Sequence, residues 1–250
     1  MISAVSLDRL PLQTLQTWNS TNIMRIPTSL LLLSASLLLI TGCSSTKNGS
    51  GKWETLFDGK SVDHWRGYQR DAFPSKGWTV ENGTLKTIPG GDIVDLVTKD
   101  NYESFELQLE WRISPAGNSG VMYHVVEGFK EPWYTGPEMQ VLDDAKHNDG
   151  QNPKTSAGAL YALIAPINKH LKPVGEWNQA RLLVNGNHVE HWLNGNKVVQ
   201  YELNSDELNQ LIVNSKFKDK PRFAKEKTGH VVLQNHKDEV WYRNIKIRRL

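Results

Sequence analysis

Phe-Glu-Leu-Gln-Leu-Glu-Trp-Arg-Ile, residues 105–113, carries an apolar side chain at every odd-numbered position. A period of two over this length is typical of a β-strand with one face in a core and the other facing away from it. The core face would hold Leu109 and Trp111, whereas Glu110 and Arg112 would point away. This stretch predicts that a β-sheet is the basis of the fold.

The rest of the chain repeats the same signal in shorter form. A two-residue Asn194-Gly195 hairpin turn is predicted, and Ser205 could cap a helix over 205–214. The run 121–125 follows a turn rich in Gly and Pro and is expected to pair antiparallel with 105–113. Many strands with almost no helix predict one all-β domain, a β-sandwich or jelly roll. The further predicted strands are 78–80, 121–125, 139–142, 180–184, 188–193, 197–203, 231–234 and 241–247.

Composition narrows the class of function. The 250 residues include 29 Lys and Arg against 27 Asp and Glu, a formal net charge of +2. Such a balance argues against nucleic acid as a partner, because nucleic-acid-binding proteins concentrate positive charge. Nine Trp, seven Tyr and six Phe beside 19 Gly favour aromatic-rich strands joined by tight turns, and they exclude disorder or a coiled coil for the bulk of the chain.

The N-terminal 42 residues have the features of a targeting segment. Arg25 precedes an apolar run over 30–40, and small residues then lead to Cys43, the single cysteine. The run is too short to span a membrane, which takes ~20 residues, so a cleaved signal fits better. The order Ile-Thr-Gly-Cys resembles a bacterial lipobox, with Met24 as the expected start of translation. Residues 1–42 are therefore expected to be a signal segment.

Cys43 is the expected lipidation site, and residues 43–52 are the expected lipidated and flexible tether, rich in Ser, Gly and Lys. The folded domain would then cover 53–250. A membrane partner through a lipid anchor follows from this interpretation. Ser44 after the cysteine favours the outer membrane of a diderm cell envelope.

Glu138 and Gln140 form the first candidate site. Met139 and Val141 alternate with them and would point into the core, so the two polar side chains would share the opposite face. His147 follows in a loop. A carboxylate, an amide and a histidine within about a dozen residues suit proton transfer. A solvated strand face is the alternative.

A second cluster lies at 188–195, where Glu190 and Trp192 share one strand face. An indole ring can pack against the C–H face of a sugar, although a Trp at the edge of the core is equally compatible. Zinc is not supported, because His188 and His191 fall on opposite strand faces. Lys216, amid polar residues, could bind an oxygen anion or carbonyl. Calcium is a possible cofactor of the acidic loop residues Asp143, Asp144 and Asp149, although their spacing is not that of an EF-hand.

Several short motifs follow one another along the chain. They are Leu-Phe-Asp-Gly-Lys-Ser at 56–61, Gly-Gly-Asp-Ile at 90–93, Asn-Ser-Gly at 118–120, Gly-Pro-Glu-Met-Gln-Val-Leu-Asp at 136–143, Ala-Gly-Ala-Leu-Tyr at 157–161, His-Trp-Leu-Asn-Gly at 191–195 and Ser-Lys-Phe at 215–217. In this order they resemble the 3-keto-disaccharide hydrolase family. The similarity covers essentially all of 53–250 and implies a concanavalin A-like jelly roll with a concave cleft. Two departures from the family pattern are Tyr123-His124, where Tyr-Arg is expected, and 234–237, where Gln-Asp-His-Gly is expected.

The resemblance implies an enzyme that cleaves glycosides already oxidised to a ketone at C3. The ketone acidifies the C2 hydrogen, so β-elimination followed by hydration would give net hydrolysis. Glu138 or His147 would be base and acid, with Lys216 or a bound cation at the enolate oxygen. The residues expected to bind the oligosaccharide or glycoside are Gln140, Glu110, Arg112, Glu190, Trp192, Tyr123 and Asp143.

Two other functions remain open from the sequence. One is a lipid-anchored lectin that binds carbohydrate without chemistry. The other is an ordinary retaining glycosidase, which needs two carboxyl groups ~5 Å apart across the scissile bond.

Overall fold

The computed structural model describes residues 51–250, and in them the chain forms a two-sheet antiparallel jelly roll. The predicted signal segment and Cys43 fall outside these residues. One short α-helix is present, and no helix within 51–250 is long and apolar enough to cross a membrane. The strands are β1 (Glu54–Phe57), β2 (Trp65–Gly67), β3 (Trp78–Glu81), β4 (Thr84–Thr87), β5 (Leu96–Thr98), β6 (Phe105–Ile113), β7 (Asn118–Val125), β8 (Glu138–Leu142), β9 (Asn178–Asn185), β10 (His188–Leu193), β11 (Asn196–Glu202), β12 (His230–Leu233) and β13 (Val240–Arg249), and α1 spans Asp206–Val213.

The larger sheet has eight strands in the order β11-β10-β9-β6-β13-β4-β3, with β1 also paired to β13. The smaller sheet has five strands in the order β2-β5-β12-β7-β8. Strand β13, although last among the described strands, lies inside the larger sheet and pairs with β6 on one side and with β4 and β1 on the other. Both sheets therefore join segments that are far apart in sequence.

The expected hairpin between 105–113 and 121–125 is wrong. Strand β6 pairs with β9 and β13 in the larger sheet, whereas β7 pairs with β8 and β12 in the smaller one. The turn between them carries the chain from one sheet to the other, and Ala116 adopts a left-handed φ of 58° there. The alternation in each run was correct, but it says nothing about which strand is the neighbour.

The apolar alternation does define the core between the sheets. Leu107, Leu109 and Trp111 of β6 face Met139 and Val141 of β8, and all five are almost completely buried. The parity predicted for both strands is confirmed. The predicted Asn194-Gly195 turn links β10 to β11, with left-handed φ at both residues, as a two-residue hairpin requires.

The only α-helix among the described residues begins where the sequence predicts. The Ser205 hydroxyl accepts a hydrogen bond from the Leu208 N–H over 3.1 Å, which satisfies one of the free amides of the first turn. Leu208 and Ile212 are buried and fix α1 against the sandwich. The helix thereby positions the segment that follows it, which carries Lys216.

Trp111→Ala should lower the free energy of unfolding by ~3 to 5 kcal/mol, because it leaves a large cavity between the sheets. The matched control is Gln179→Ala, at an exposed position of the neighbouring strand, where ~0.5 kcal/mol or less is expected. Chemical denaturation of both variants measures the difference. Equal, small losses would mean that Trp111 does not belong to the core.

Candidate active site on the five-stranded sheet

The outer face of the five-stranded sheet forms the floor of the candidate site. Glu138 of β8 lies opposite Met122 of β7, and Gln140 lies opposite Gly120. A side-chain carbon at Gly120 would overlap the Glu138 carboxylate, so this carboxylate lies directly above the glycine backbone. Glycine is required here because only a residue without a side chain leaves room for Glu138.

Glu138 is held in an environment that disfavours its charge. The side chain is only 7% exposed, and this burial raises its pKa to about 8. The positive charge of Lys216 lowers the pKa of Glu138, whereas the negative charges of Asp95 and Asp149 raise it further. A carboxyl group with a pKa near the working pH can both accept and donate a proton.

Lys216 reaches the site from the segment after α1. Its Nζ lies 4.1 Å from the centroid of the Tyr161 ring, a cation–π contact. The adjacent Phe217 stacks on Phe223 with a centroid distance of 3.9 Å, which anchors the segment. Partial burial lowers the pKa of Lys216, and the charges of Glu138 and Asp149 oppose this shift.

Tyr161 connects Glu138 to the loop that carries His147. Its backbone N–H donates to the Glu138 carbonyl, and its hydroxyl donates to Asp149 Oδ2 over 3.0 Å. The Asp149 N–H in turn donates to His147 Nδ1 over 3.1 Å. When the His147 ring is neutral, this bond places its proton on Nε2.

Gln140 is the least satisfied polar side chain of the floor. It is 1% exposed, and neither its Oε1 nor its Nε2 has a hydrogen-bond partner within the described residues. Buried amides are normally paired, since an unpaired one costs stability. An amide left free beside Glu138 is available to hydrogen-bond the hydroxyl or carbonyl of a bound molecule.

The sequence analysis missed Asp95, which lies just before β5 on the same sheet. Its Oδ1 accepts a hydrogen bond from the Asn235 N–H over 2.7 Å, and burial raises its pKa to about 7. The pairing of β5 with β12, and of β12 with β7, brings it toward Gly120 from the side opposite Glu138. Nothing in the local sequence marks Asp95, because its position depends on strand pairing.

A second missed residue is Trp133, which forms an aromatic wall at one end of the floor. It packs against the apolar cluster that contains Met122, Val97 and Val232. The Lys216 Nζ lies 5.4 Å from its ring centroid. An indole next to a carboxylate and a lysine gives the site an apolar surface of the kind that sugar rings pack against.

Four of the predicted sugar-binding residues lie elsewhere. Glu110, Arg112, Glu190 and Trp192 do face away from the core, but they lie on the outer face of the eight-stranded sheet. The core therefore separates them from Glu138. Glu110 is paired there with Arg243 over 2.7 Å.

The side chains of Arg112, Glu190 and Trp192 are held in place by contacts on the same outer face of the eight-stranded sheet. The Arg112 guanidinium lies 4.3 Å from the Trp241 ring centroid and 5.0 Å from that of Trp177. Trp192 Nε1 donates to Glu190 over 2.7 Å. These residues cannot contact a molecule bound at Glu138.

Two other predicted binding residues also face away from the site. Tyr123 is buried between the sheets, where its hydroxyl is hydrogen-bonded to His191 Nε2 at 3.2 Å and to the Tyr201 hydroxyl. Asp143 accepts hydrogen bonds from the backbone of Ala116 and Ala145, at 2.7 and 3.0 Å. Both residues organise the fold around the site.

The acidic residues considered for calcium are not gathered into one cluster. Asp144 pairs with Lys169 at 2.5 Å, and Asp149 is bonded to Tyr161. Within residues 51–250, no group of three or more His, Cys, Asp or Glu side chains is arranged to hold a metal ion. Of the predicted residues, the structure brings together Glu138, Gln140 and Lys216, with His147 linked to them through Tyr161 and Asp149.

Comparison with known proteins gives consistent results. A 3-keto-disaccharide hydrolase of Bacteroides thetaiotaomicron is 36% identical over an alignment of length 226, and the match covers 78% of each chain. A solved structure of a candidate glycosyl hydrolase from Parabacteroides distasonis has 33% identity and a TM-score of 0.74, covering 80% of this chain and 94% of the other. A second one has 28% identity and a TM-score of 0.65, covering 80% and 100%.

The fold alone is shared more widely. A Bacillus subtilis protein with a galectin-like fold has 9% identity and a TM-score of 0.50, covering 80% of this chain and 96% of that one. The family model described as the 3-keto-alpha-glucoside-1,2-lyase-like domain matches residues 52–248, almost all of the described region. The chain therefore belongs to the family of 3-keto-alpha-glucoside-1,2-lyase-like domains.

Proposed function

We propose that this protein cleaves glycosides that carry a ketone at C3 of the sugar, with Glu138 as the central proton-transfer group. Family membership and the Bacteroides relative support carbohydrate cleavage as the class of reaction. The observation that carries the proposal is the Glu138 carboxylate, buried above Gly120 and close enough to Lys216 for the lysine charge to act on its pKa.

The first step is an elimination. A C3 ketone acidifies the hydrogen on C2, and the Glu138 carboxylate removes this hydrogen as a proton. The electron pair forms an enolate, whose oxygen the Lys216 ammonium stabilises. The enolate then expels the C1 substituent, so the C1–O bond breaks as a C1=C2 double bond forms. The leaving oxygen takes up one proton.

His147 is suited to assist that transfer. With Nδ1 accepting from the Asp149 N–H, its Nε2 carries hydrogen and can donate a hydrogen bond to the leaving oxygen. A water molecule gives one proton to the leaving oxygen and its hydroxyl adds to C1, while Glu138 returns a proton to C2. The sum of elimination and hydration is hydrolysis of the glycosidic bond.

The floor of the site suits a sugar ring. Gly120 makes room for the Glu138 carboxylate, and the free amide of Gln140 can hydrogen-bond a hydroxyl or the ketone. Trp133 offers a surface on which the C–H face of the ring can pack. Asp95, on the far side of Gly120, can accept a further hydroxyl hydrogen bond.

Glu138→Gln should lower turnover of a 3-keto-glucoside by ~10²-fold or more, because the amide cannot accept the C2 proton. Glu81→Gln, the same chemical change at an exposed strand position, is the matched control and should leave turnover within about twofold. The rate of glycoside cleavage, measured with the 3-keto-glucoside and its unoxidised parent, tests both variants.

The same reaction run in heavy water should place deuterium at C2 of the released 3-keto sugar, since the proton held by Glu138 exchanges with solvent before the hydration step returns it to C2. Cleavage of the unoxidised parent without deuterium at C2 would instead indicate an ordinary glycosidase. Sugar binding without turnover of either compound would indicate a lectin. Full activity of Glu138→Gln would remove this residue from the mechanism.

The pH dependence should separate the two possible roles of Glu138. Burial raises its pKa to about 8, so the carboxylate fraction of the free enzyme increases as the pH rises toward that value. A base must be unprotonated, and kcat/KM should therefore rise with pH and level off above about 8. In Glu138→Gln this limb should disappear. A kcat/KM that falls through the same range would assign Glu138 the role of acid.

We also propose that the mature protein begins at Cys43 and is held at the bacterial cell envelope by acyl chains, at the outer membrane in a diderm. The support is the order of three features in the sequence, which are Arg25, the apolar run over 30–40 and Ile-Thr-Gly-Cys at 40–43. Cys43→Ser should move the protein from the membrane fraction to the soluble fraction, because two or more acyl chains are what make such anchoring stable. Cell fractionation with immunoblotting measures this. A variant found in membranes as fully as the wild type would contradict the proposal.

A further inference from the structure

The outer face of the eight-stranded sheet carries a groove of about 610 Å³. Its floor is the polar outer face of the adjacent strands β9, β6 and β13, and its ends are the segment at Phe57 and Trp192. A volume in this range is typical of sites that bind small molecules or part of a chain. The core separates this groove from the site at Glu138.

Trp192 is held in a fixed orientation at the groove. Its Nε1 donates to Glu190 over 2.7 Å, and the Arg181 guanidinium lies 4.9 Å from its ring centroid. Arg181 is in turn paired with Glu106 at 2.6 Å. The half-exposed indole is therefore a pre-oriented aromatic surface, and ordering it on binding costs little conformational entropy.

Amide side chains line the groove beside this ring. Gln108 lies opposite Arg181 across the β6–β9 pairing, and Gln179 lies opposite Glu110. Asn244 donates to Glu110 over 3.1 Å. Gln108 Nε2 donates to Glu106 over 2.9 Å. Each amide still keeps its oxygen and at least one N–H hydrogen for a ligand, as neighbouring hydroxyl groups of a sugar require.

The charges that line the groove are balanced. Asp58 and Glu110 are acidic, whereas Arg181 and Lys246 are basic. Glu110 and Arg181 are already neutralised by Arg243 and Glu106. The groove thus has no excess charge to attract an anionic or cationic ligand, and its aromatic and amide groups match a ligand rich in hydroxyls.

We propose that this groove is a second carbohydrate-binding site, which takes a neutral oligosaccharide and performs no chemistry. Trp192 would pack against one sugar ring, and Gln108 and Gln179 would hydrogen-bond its hydroxyls. The proposal does not rest on the reaction at Glu138, because none of the groove residues contributes to that site. It also gives Trp192 a role in sugar binding separate from the site at Glu138.

Native affinity electrophoresis tests this with the full chain in a Glu138→Gln background, which prevents consumption of the probe. The gels contain laminarin or dextran as neutral probes, or polygalacturonate as an anionic probe. Migration should be retarded by at least one neutral probe and not by the anionic one. Trp192→Ala should weaken the apparent affinity by ~10-fold or more.

Trp241→Ala is the matched control, because Trp241 lies on the same face under a guanidinium but outside the groove. It should retain full retardation. The double variant Gln108→Ala with Gln179→Ala provides a second test that leaves the aromatic packing intact, and it should also lose retardation. Thermal unfolding of each variant establishes that it is folded.

Three results would overturn the proposal. The first is that neither laminarin nor dextran retards the protein. The second is retardation by polygalacturonate alone, which would assign the groove to an anionic ligand. The third is retardation that survives in Trp192→Ala and in the double glutamine variant but is lost in Trp133→Ala, which would place all binding at the site around Glu138.

Discussion

Burial of apolar side chains between the two sheets is the constraint on which the rest of the molecule depends. A strand has only two faces. Because Met139 and Val141 point into the core, Glu138 and Gln140 must lie on the outer face. That face would normally be wet. The loops and α1 segment that carry Tyr161, Trp133 and Lys216 cover it, and they convert an exposed polar strand face into a desolvated site.

The sequence was informative wherever a property depends on neighbours along the chain. The bounds of β6, the parity of β8, the Asn194-Gly195 hairpin and the Ser205 cap all follow from local pattern. The same patterns could not say which strands pair, and the expected neighbour of β6 was therefore wrong. The alternation along a strand separates core-facing residues from outward-facing ones. A β-sandwich has two outer faces, one on each sheet, and the alternation does not say which of them a residue occupies. For this reason Glu110 and Trp192 were grouped with Glu138, although they lie on the opposite sheet.

The part of the candidate site that the sequence did not predict consists of residues from distant segments of the chain. Asp95 precedes β5 and Tyr161 follows a loop after β8, yet the charges of Asp95 and Asp149 both act on the Glu138 carboxyl. No spacing rule connects these positions, because strand order in the smaller sheet brings them together. The family resemblance supplied part of what pattern could not, since its motifs included 136–143 and 215–217, which the structure places in one site.

The position of β13 has a consequence for how the protein is made. This strand, Val240–Arg249, joins β6 to β4 and β1 inside the larger sheet, so its partners are synthesised more than a hundred residues earlier. During translation these partners remain unpaired with β13, and the larger sheet cannot be completed until β13 has emerged from the ribosome. Until then the edges of β6, β4 and β1 lack their partner strand, and an unpaired edge of this kind can pair with another chain.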